Sequence, residues 1–261
     1  MSERVRIDLV DQVATVALAR PDKHNALDPE MFDALLAATE QLLAQPDLRA
    51  VVLCGQGRSF CSGLDFAAVA GAGDRGDNDR EGDDRGAGRS GLARFVDELR
   101  GPTPNRFQRA ALDWLKLPAP VIAAIHGSCF GGGLQIALAA DVRICAPDAQ
   151  LSVMETRFGL IPDMGITRTL PRLVSIDVAK ELTYTAKVIS GEQAQALGLV
   201  TRCDPAPFDA AHELATTIAA QPPQAICRVK RLYDEAWVAA EAASLKLEST
   251  LQAELIEKLR I

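Results

Sequence analysis

The 261-residue sequence has no long apolar run, no basic run and no closely spaced cysteine pair. Without about 20 consecutive apolar residues, a membrane-spanning helix is not expected. The net charge of −7 and the pI near 5.1 argue against nucleic acid or an anionic membrane as a partner, because both require clustered positive charge. We therefore expect a soluble, cytoplasmic protein in which any anionic ligand meets local positive charge.

Histidine and cysteine are too scattered to suggest a metal centre or a disulfide framework. The three histidines stand singly and provide no metal ligand set. With no C-x-x-C spacing and no signal peptide, we expect reduced thiols in the core. Cys61 and Cys129 lie in glycine-rich motifs, but no histidine spacing indicates a nucleophilic pair, so small apolar filler is the favoured interpretation. The cysteines are Cys54, Cys61, Cys129, Cys145, Cys203 and Cys227.

Short apolar segments alternate with amphipathic ones along the first two thirds of the chain. The alternation in Val5 to Leu9 and Val13 to Leu18 predicts a hairpin, and Asp28 is a candidate cap for a helix from about Pro29 to Gln45. This repetition predicts an α/β fold in which strands and helices follow one another. Further strands are predicted at Val51 to Cys54, Val121 to Ile125 and Val142 to Cys145, with helices near Phe107 to Leu115 and Gly132 to Ala140.

Glycine, aspartate and arginine dominate the segment at about 71–91. Such a composition cannot bury enough apolar surface to order itself, so a mobile, solvated loop is predicted. Its aspartate spacing faintly suggests a calcium loop, but no flanking helix pattern supports one. The following stretch, Gly91 to Leu99, is amphipathic and is a candidate lid over a pocket.

Two strand-to-helix junctions are rich in glycine. The strand predicted at Val121 to Ile125 is followed by Gly131, Gly132 and Gly133. A helix beginning at these glycines would present unpaired N–H groups to an anion. At the second junction, Gly63 can turn the Leu64 N–H into the same cleft. Two such donors would form an oxyanion hole. A dinucleotide site is excluded because the G-x-G-x-x-G spacing is missing and Asp141 follows too closely.

Four stretches together resemble the crotonase, or enoyl-CoA hydratase/isomerase, superfamily: Arg20 to Leu27, Ser59 to Phe66, Gly127 to Asp141, and Ser190 to Val200. The resemblance implies a crotonase-like spiral of ββα repeats over residues 1–189, carrying an acyl-CoA site. It also implies a C-terminal helical region over 190–261 that packs at subunit contacts, as a homotrimer or a dimer of trimers. No cofactor is implied beyond the coenzyme A that the substrate carries.

The resemblance assigns roles to three polar residues. Enoyl-CoA hydratases have two catalytic carboxylates at positions that are here Gln135 and Glu155, so this chain keeps only the second. Asp163 stands where dienoyl-CoA isomerases, and a dehalogenating branch, carry an acid; the dienoyl isomerases have a further acid at the position of Gln135. The alternatives are a salt bridge of Glu155 to Arg157 or another cation, and a turn or cap formed by Asp163.

We favour double-bond isomerisation through a thioester enolate over the nearest alternative, hydration of a 2-enoyl-CoA. Hydrolysis, decarboxylation and dehalogenation of the thioester are less favoured alternatives. A non-catalytic protein that only binds acyl-CoA is a further alternative. Further candidates to bind the phosphate groups of coenzyme A are Arg20 and either Lys230 or Arg231. The predicted catalytic groups are Glu155, Asp163 and the N–H groups of Leu64 and Gly132; the predicted substrate-binding residues are Lys23, Ala26, Ser62, Gly63, Asp65, Gly131 and Gln135.

Overall fold

A computed structural model describes residues 4–69 and 93–259. The segment at about 71–91, for which a mobile loop is predicted, lies outside these residues. The described strands are β1 Val5–Val10, β2 Val13–Leu18, β3 Ala50–Gly55, β4 Val121–Ile125, β5 Ser128–Phe130, β6 Val142–Cys145, β7 Gln150–Ser152, β8 Ile189–Ser190 and β9 Arg202–Cys203. They form a six-stranded sheet in the order β1-β2-β3-β4-β6-β9 and a three-stranded sheet in the order β5-β7-β8.

Helices connect the strands and close the C-terminal end. Single-turn 3₁₀ helices lie between them, including Pro21–Lys23 and Glu155–Phe158. The helices are α1 Pro29–Leu43, α2 Phe66–Val69, α3 at 93–99, α4 Arg106–Leu112, α5 Gly132–Leu138, α6 Ile166–Thr169, α7 Ile176–Thr185, α8 Gly191–Ala196, α9 Pro207–Ala219, α10 Pro223–Ala236 and α11 Glu241–Leu259.

Local sequence signals placed the first elements correctly. β1 and β2 pair as an antiparallel hairpin, with Asp11 and Gln12 in the left-handed turn. The Asp28 carboxylate accepts the Met31 N–H at 2.8 Å and so caps α1, which ends two residues before the predicted Gln45. These contacts confirm the predicted hairpin and N-cap.

Strand pairs and helices repeat as a spiral. β4 joins the large sheet, β5 joins the small one, and α5 follows; β6 and β7 then repeat the alternation. β3 and β4 are almost wholly buried because the main core cluster packs on one face of the large sheet and α9 packs on the other. This arrangement confirms the predicted α/β spiral of ββα repeats.

The C-terminal region contains one element that the sequence analysis missed. Ser190 and Gln193 form the predicted capping box, and Gly198, with φ of 82°, follows the end of α8. β9 then pairs in parallel with β6, although only helices were predicted after Ser190. Two residues are too few for a periodic pattern to indicate a strand. Within residues 4–69 and 93–259, no helix is long and apolar enough to cross a bilayer.

Gly133 lets α5 approach the neighbouring loop closely. A Cβ at this position would lie 2.6 Å from both the Cβ and the carbonyl oxygen of Cys61, and that oxygen already accepts the Phe130 N–H at 2.9 Å. The backbone at Cys61 therefore has no freedom to withdraw. The third glycine of the run serves helix packing.

We expect Gly133→Ala to lower the free energy of unfolding by about 1–3 kcal/mol, the usual cost of forcing a methyl group into a packed core. Urea denaturation followed by circular dichroism measures the change, with the slope of the transition kept as a check on two-state behaviour. A variant as stable as the wild-type protein would show that α5 can shift to make room.

Candidate active site

The first and second resemblance motifs lie side by side. The Leu27 N–H donates to the Gly63 carbonyl at 2.8 Å, and the Asp65 N–H donates to the Leu27 carbonyl at 2.9 Å. The Ser62 N–H donates to the His24 carbonyl at 2.9 Å. Residues 24–27 therefore brace the loop that carries the predicted donor Leu64.

Arg20 and Asn25 lock this pair of loops together, and neither role was anticipated. The Arg20 guanidinium lies 2.8 Å from the Asp65 carboxylate and 3.4 Å from that of Asp28. Asn25 is fully buried, and its amide donates to the carbonyls of Gln56 and Ser59 at 2.9 and 2.8 Å. Asp65, Gln56 and Ser59 lie 31 to 45 residues from the side chains that they contact, so no local pattern could reveal these contacts.

Two backbone donors face a cavity of about 420 Å³. Gly63 and Gly131, with φ of 92° and 51°, turn the chain immediately before Leu64 and Gly132. Nothing in the described part of the chain accepts a hydrogen bond from the Leu64 or the Gly132 N–H, and both residues line the cavity. A left-handed glycine before each donor is what such an orientation requires. The pair is suited to a developing negative charge on oxygen.

Glu155 is held by the side chain of Gln135. The Gln135 amide nitrogen donates to Glu155 Oε1 at 2.7 Å, while the Gln135 amide oxygen accepts the Met164 N–H at 2.8 Å. Met164 thereby fixes which end of the amide points at the carboxylate. The second oxygen, Oε2, is buried and has no hydrogen-bond partner among the described residues. Oε2 is therefore the carboxylate oxygen that is left to accept a further hydrogen bond.

Two desolvated acids share the cavity. Burial raises the pKa of the Glu155 carboxyl, and the negative charge of Asp163 raises it further, against the opposing hydrogen bond from Gln135. Burial also raises the pKa of the Asp163 carboxyl. The charge of Asp163 therefore acts on the pKa of Glu155 in addition to burial. Arg157 forms no ion pair with Glu155, so the alternative of a structural salt bridge is not realised among the described residues.

The rest of the cavity is strongly apolar. Six of the chain's eight phenylalanines line it, drawn from helices, strands and turns that are distant in sequence. The sequence analysis missed this wall because single phenylalanines carry no motif. The six are Phe32, Phe66, Phe95, Phe107, Phe130 and Phe158, joined by Leu27, Leu64, Leu99, Met154, Leu160, Ile161 and Met164.

Eight of the eleven predicted site residues line this cavity: Glu155, Asp163, Leu64, Gly132, Ser62, Gly63, Gly131 and Gln135. Lys23, Ala26 and Asp65 do not. Lys23 is exposed at the end of the turn Pro21–Lys23, and Ala26 is buried. The Asp65 carboxylate accepts the Ala68 N–H at 3.1 Å and caps α2, as anticipated from the sequence. Substrate contact by these three residues stays a prediction.

Cations predicted near the coenzyme are engaged elsewhere. Lys230 is buried and bridges Asp141, at 2.6 Å, and Asp234, at 3.4 Å. Arg231 pairs with Glu235 on the same helix at 2.8 Å. Arg20 holds Asp65, whereas Lys23 is exposed within the predicted coenzyme motif.

The cysteines have no catalytic surroundings. Cys61 and Cys129 are fully buried, and burial raises the pKa of the Cys61 thiol to about 12 and that of Cys129 well above its ordinary value. Both thiols are therefore protonated, as expected of filler. All six cysteines lie in the described chain as free thiols, but Cys203 and Cys227 are partly exposed, which corrects the expectation of six core residues. No metal-binding group of three His, Cys, Asp or Glu occurs among the residues described.

Comparison with known proteins places this site in context. Residues 9–85 and 97–261 match the family model described as enoyl-CoA hydratase/isomerase. The chain is 33% identical over 200 residues to the peroxisomal Δ(3,5)-Δ(2,4)-dienoyl-CoA isomerase of Arabidopsis thaliana, covering 77% of this chain and 68% of that protein. It is 34% identical to the probable enoyl-CoA hydratase of Rhodobacter capsulatus, covering 96% and 89%. The crystal structure of an enoyl-CoA hydratase from Bacillus anthracis superimposes with a TM-score of 0.81 at 29% identity, covering 97% and 91%.

Proposed function

Because the chain belongs to the enoyl-CoA hydratase/isomerase family, we propose that it shifts a carbon–carbon double bond of an acyl-CoA thioester. One observation carries this proposal: Glu155 and Asp163 are two desolvated acids that line one cavity. At the position where hydratases resembling this chain have a further carboxylate, Gln135 cannot titrate and is engaged with Glu155 and the Met164 N–H. Two acids can remove a proton at one carbon and return one at another.

In the proposed reaction, the N–H groups of Leu64 and Gly132 donate to the thioester oxygen. A carboxylate takes a proton from Cα; the C–H electron pair moves into the conjugated system, and negative charge collects on that oxygen. As the charge returns, the second acid gives a proton to a carbon farther along the chain, and the double bond ends in a new place. No oxidation occurs and no atoms are gained beyond the exchanged proton, so the reaction needs no cofactor.

Hydration of a 2-enoyl-CoA is the second candidate. The free Oε2 of Glu155 can accept a hydrogen bond from water, and the relatives include a protein named as a probable hydratase. In that reaction Glu155 would activate the water, and Asp163 would have to supply the role of the absent second carboxylate. A protein that only binds acyl-CoA is the remaining outcome of the test.

Three substrates separate these functions by ultraviolet absorbance. We expect the protein to convert a 3,5-dienoyl-CoA to the 2,4-dienoyl product, with a new band at longer wavelength, or a 3-enoyl-CoA to the conjugated 2-enoyl product. Loss of the conjugated band from a 2-enoyl-CoA would instead identify a hydratase. No spectral change with any of the three would leave only binding.

The pH dependence of turnover tests the role of Asp163. One acid must be ionised and the other protonated, so kcat/KM should form a bell whose limbs are shifted upward from the ordinary pKa values of aspartate and glutamate. The raised pKa values set that direction. In Asp163→Asn, the alkaline limb should vanish, because no second proton remains to be lost. An unchanged bell in this variant would remove Asp163 from the proton transfer.

Assembly as a homotrimer or a dimer of trimers forms part of the proposal. Large apolar side chains on and beside α10 and α11 are exposed in the single chain, including Trp237, Leu245 and Ile256. Leu251, by contrast, is buried within the chain, so only some of the apolar side chains of α11 are free for such contacts. Light scattering after gel filtration measures the state, and a monomer at micromolar concentration would contradict it.

A further inference from the structure

Three phenylalanine rings form a wall at one end of the cavity. Phe32, Phe95 and Phe107 come from α1, α3 and α4, and the Phe107 centroid lies 4.9 Å from that of Phe32 and 4.5 Å from that of Phe95. Phe32 and Phe107 are almost fully buried, whereas Phe95 is partly exposed. The wall therefore has two fixed rings and one ring on a short helix.

A second cavity, of about 170 Å³, lies behind the same three rings. Its lining includes the charged residues Arg94, Glu98 and Arg106, and it includes none of the predicted catalytic groups. The three rings thus separate the larger apolar cavity, which holds the proposed reacting groups, from a smaller one that combines apolar residues with three charged ones. Shortening one ring would join the two.

The helix that carries Phe95 is fixed from both sides. The Arg106 guanidinium lies 2.7 Å from Glu98 on α3 and 2.7 Å from Asp33 on α1. The Asn105 amide donates to the Leu99 carbonyl at 3.2 Å. These contacts hold the Phe95 ring against Phe107, so the wall is a defined stop for whatever fills the larger cavity.

We propose that Phe95 sets the length limit of the acyl group and that the substrate is a medium-chain, unbranched apolar acyl thioester whose tail ends against this wall. The inference rests on the proposed function only for the identity of the thioester ligand. A crotonyl group would leave the aromatic lining unfilled. A long chain would have to displace the packed rings, or enter the smaller cavity and lie against Arg94, Glu98 and Arg106, whose charged groups a hydrocarbon end cannot hydrogen-bond.

Binding of saturated acyl-CoAs tests the wall without any turnover. By calorimetry, the wild-type affinity should rise about fourfold for each methylene that enters the apolar lining, and should then level off when the tail meets the rings. Phe95→Ala should move that plateau to longer chains, and Phe95→Trp should move it to shorter ones. Phe208→Ala, at an exposed position of α9 outside the cavity lining, is the matched control and should leave the plateau unchanged.

Three results would overturn the inference: tightest wild-type binding with the shortest chains, no plateau, or the same plateau in both Phe95 variants. A general loss of folding would not move the plateau in opposite directions in the two Phe95 variants, so opposite shifts distinguish a length limit from misfolding. If the plateau shifts but none of the three unsaturated substrates reacts, the proposed function fails and the length limit stands. If a substrate reacts and the plateau does not shift, the length limit fails alone.

Discussion

Glu155→Gln should lower kcat by roughly 10²- to 10⁴-fold, the usual contribution of a positioned acid or base. The change is nearly isosteric, and its amide oxygen can still accept from Gln135, which donates to Oε1 at 2.7 Å in the wild-type protein. What is lost is the group that titrates. Steady-state rates on the substrate that the wild-type protein converts measure the effect.

The exposed residue Glu213 supplies the control for this substitution. Glu213→Gln removes the same charge from the surface of α9, outside the cavity, and should leave kcat within a factor of about two of the wild-type value. Wild-type turnover by Glu155→Gln would remove Glu155 from the reaction. Equal losses in both variants would point to a general effect of charge.

Glu155→Gln should also stabilise the protein at neutral pH. Because burial raises the pKa of Glu155 in the folded chain, folding binds a proton that the unfolded chain releases, and stability falls as the pH rises through that interval. Removing the carboxyl abolishes this loss. We therefore expect Glu155→Gln to have a higher Tm than the wild-type protein at pH 7, with a smaller difference near pH 4.

Replacing the Leu64 peptide N–H by an ester oxygen should lower kcat by roughly 10²- to 10³-fold, the known range for one oxyanion donor. Incorporating the α-hydroxy acid analogue of leucine makes this change without altering the side chain. In the fold, the Leu64 N–H has no acceptor within residues 4–69 and 93–259, so its loss removes no internal hydrogen bond. Stability should therefore change much less than turnover.

Leu27 provides a matched control for this experiment. An ester at Leu64 also weakens the Gly63 carbonyl as an acceptor, and that carbonyl receives the Leu27 N–H at 2.8 Å. The same ester at Leu27 removes this hydrogen bond and leaves the Leu64 N–H intact. In the Leu27 ester variant, kcat should stay within about tenfold of the wild-type value. Equal losses at the two positions would show that the loop contact matters and the donor does not.

Features that depend on short-range rules were predictable from the sequence. The Asp28 cap, the capping box at Ser190 and Gln193, and the turn at Asp11 each involve residues within a few positions of one another. The glycines before Leu64 and Gly132 belong to the same class, because a left-handed backbone is a local requirement.

The remaining features depend on residues brought together from far apart. The two amide atoms of Gln135 meet Glu155 and the Met164 N–H, which are 20 and 29 residues away. The Arg20–Asp65 pair and the phenylalanine wall likewise join distant segments. Such contacts depend on how the spiral stacks its turns, and no periodicity along the chain encodes that stacking.

Mass spectrometry of the acyl-CoA product tests the central claim most directly. After incubation of a 3,5-dienoyl-CoA, and separately of a 3-enoyl-CoA, with the wild-type protein, we predict at least one product of unchanged mass and altered absorbance, absent with Glu155→Gln. That result identifies an isomer formed by proton transfer. A product heavier by one water molecule, or unaltered substrate in both cases, would contradict the account.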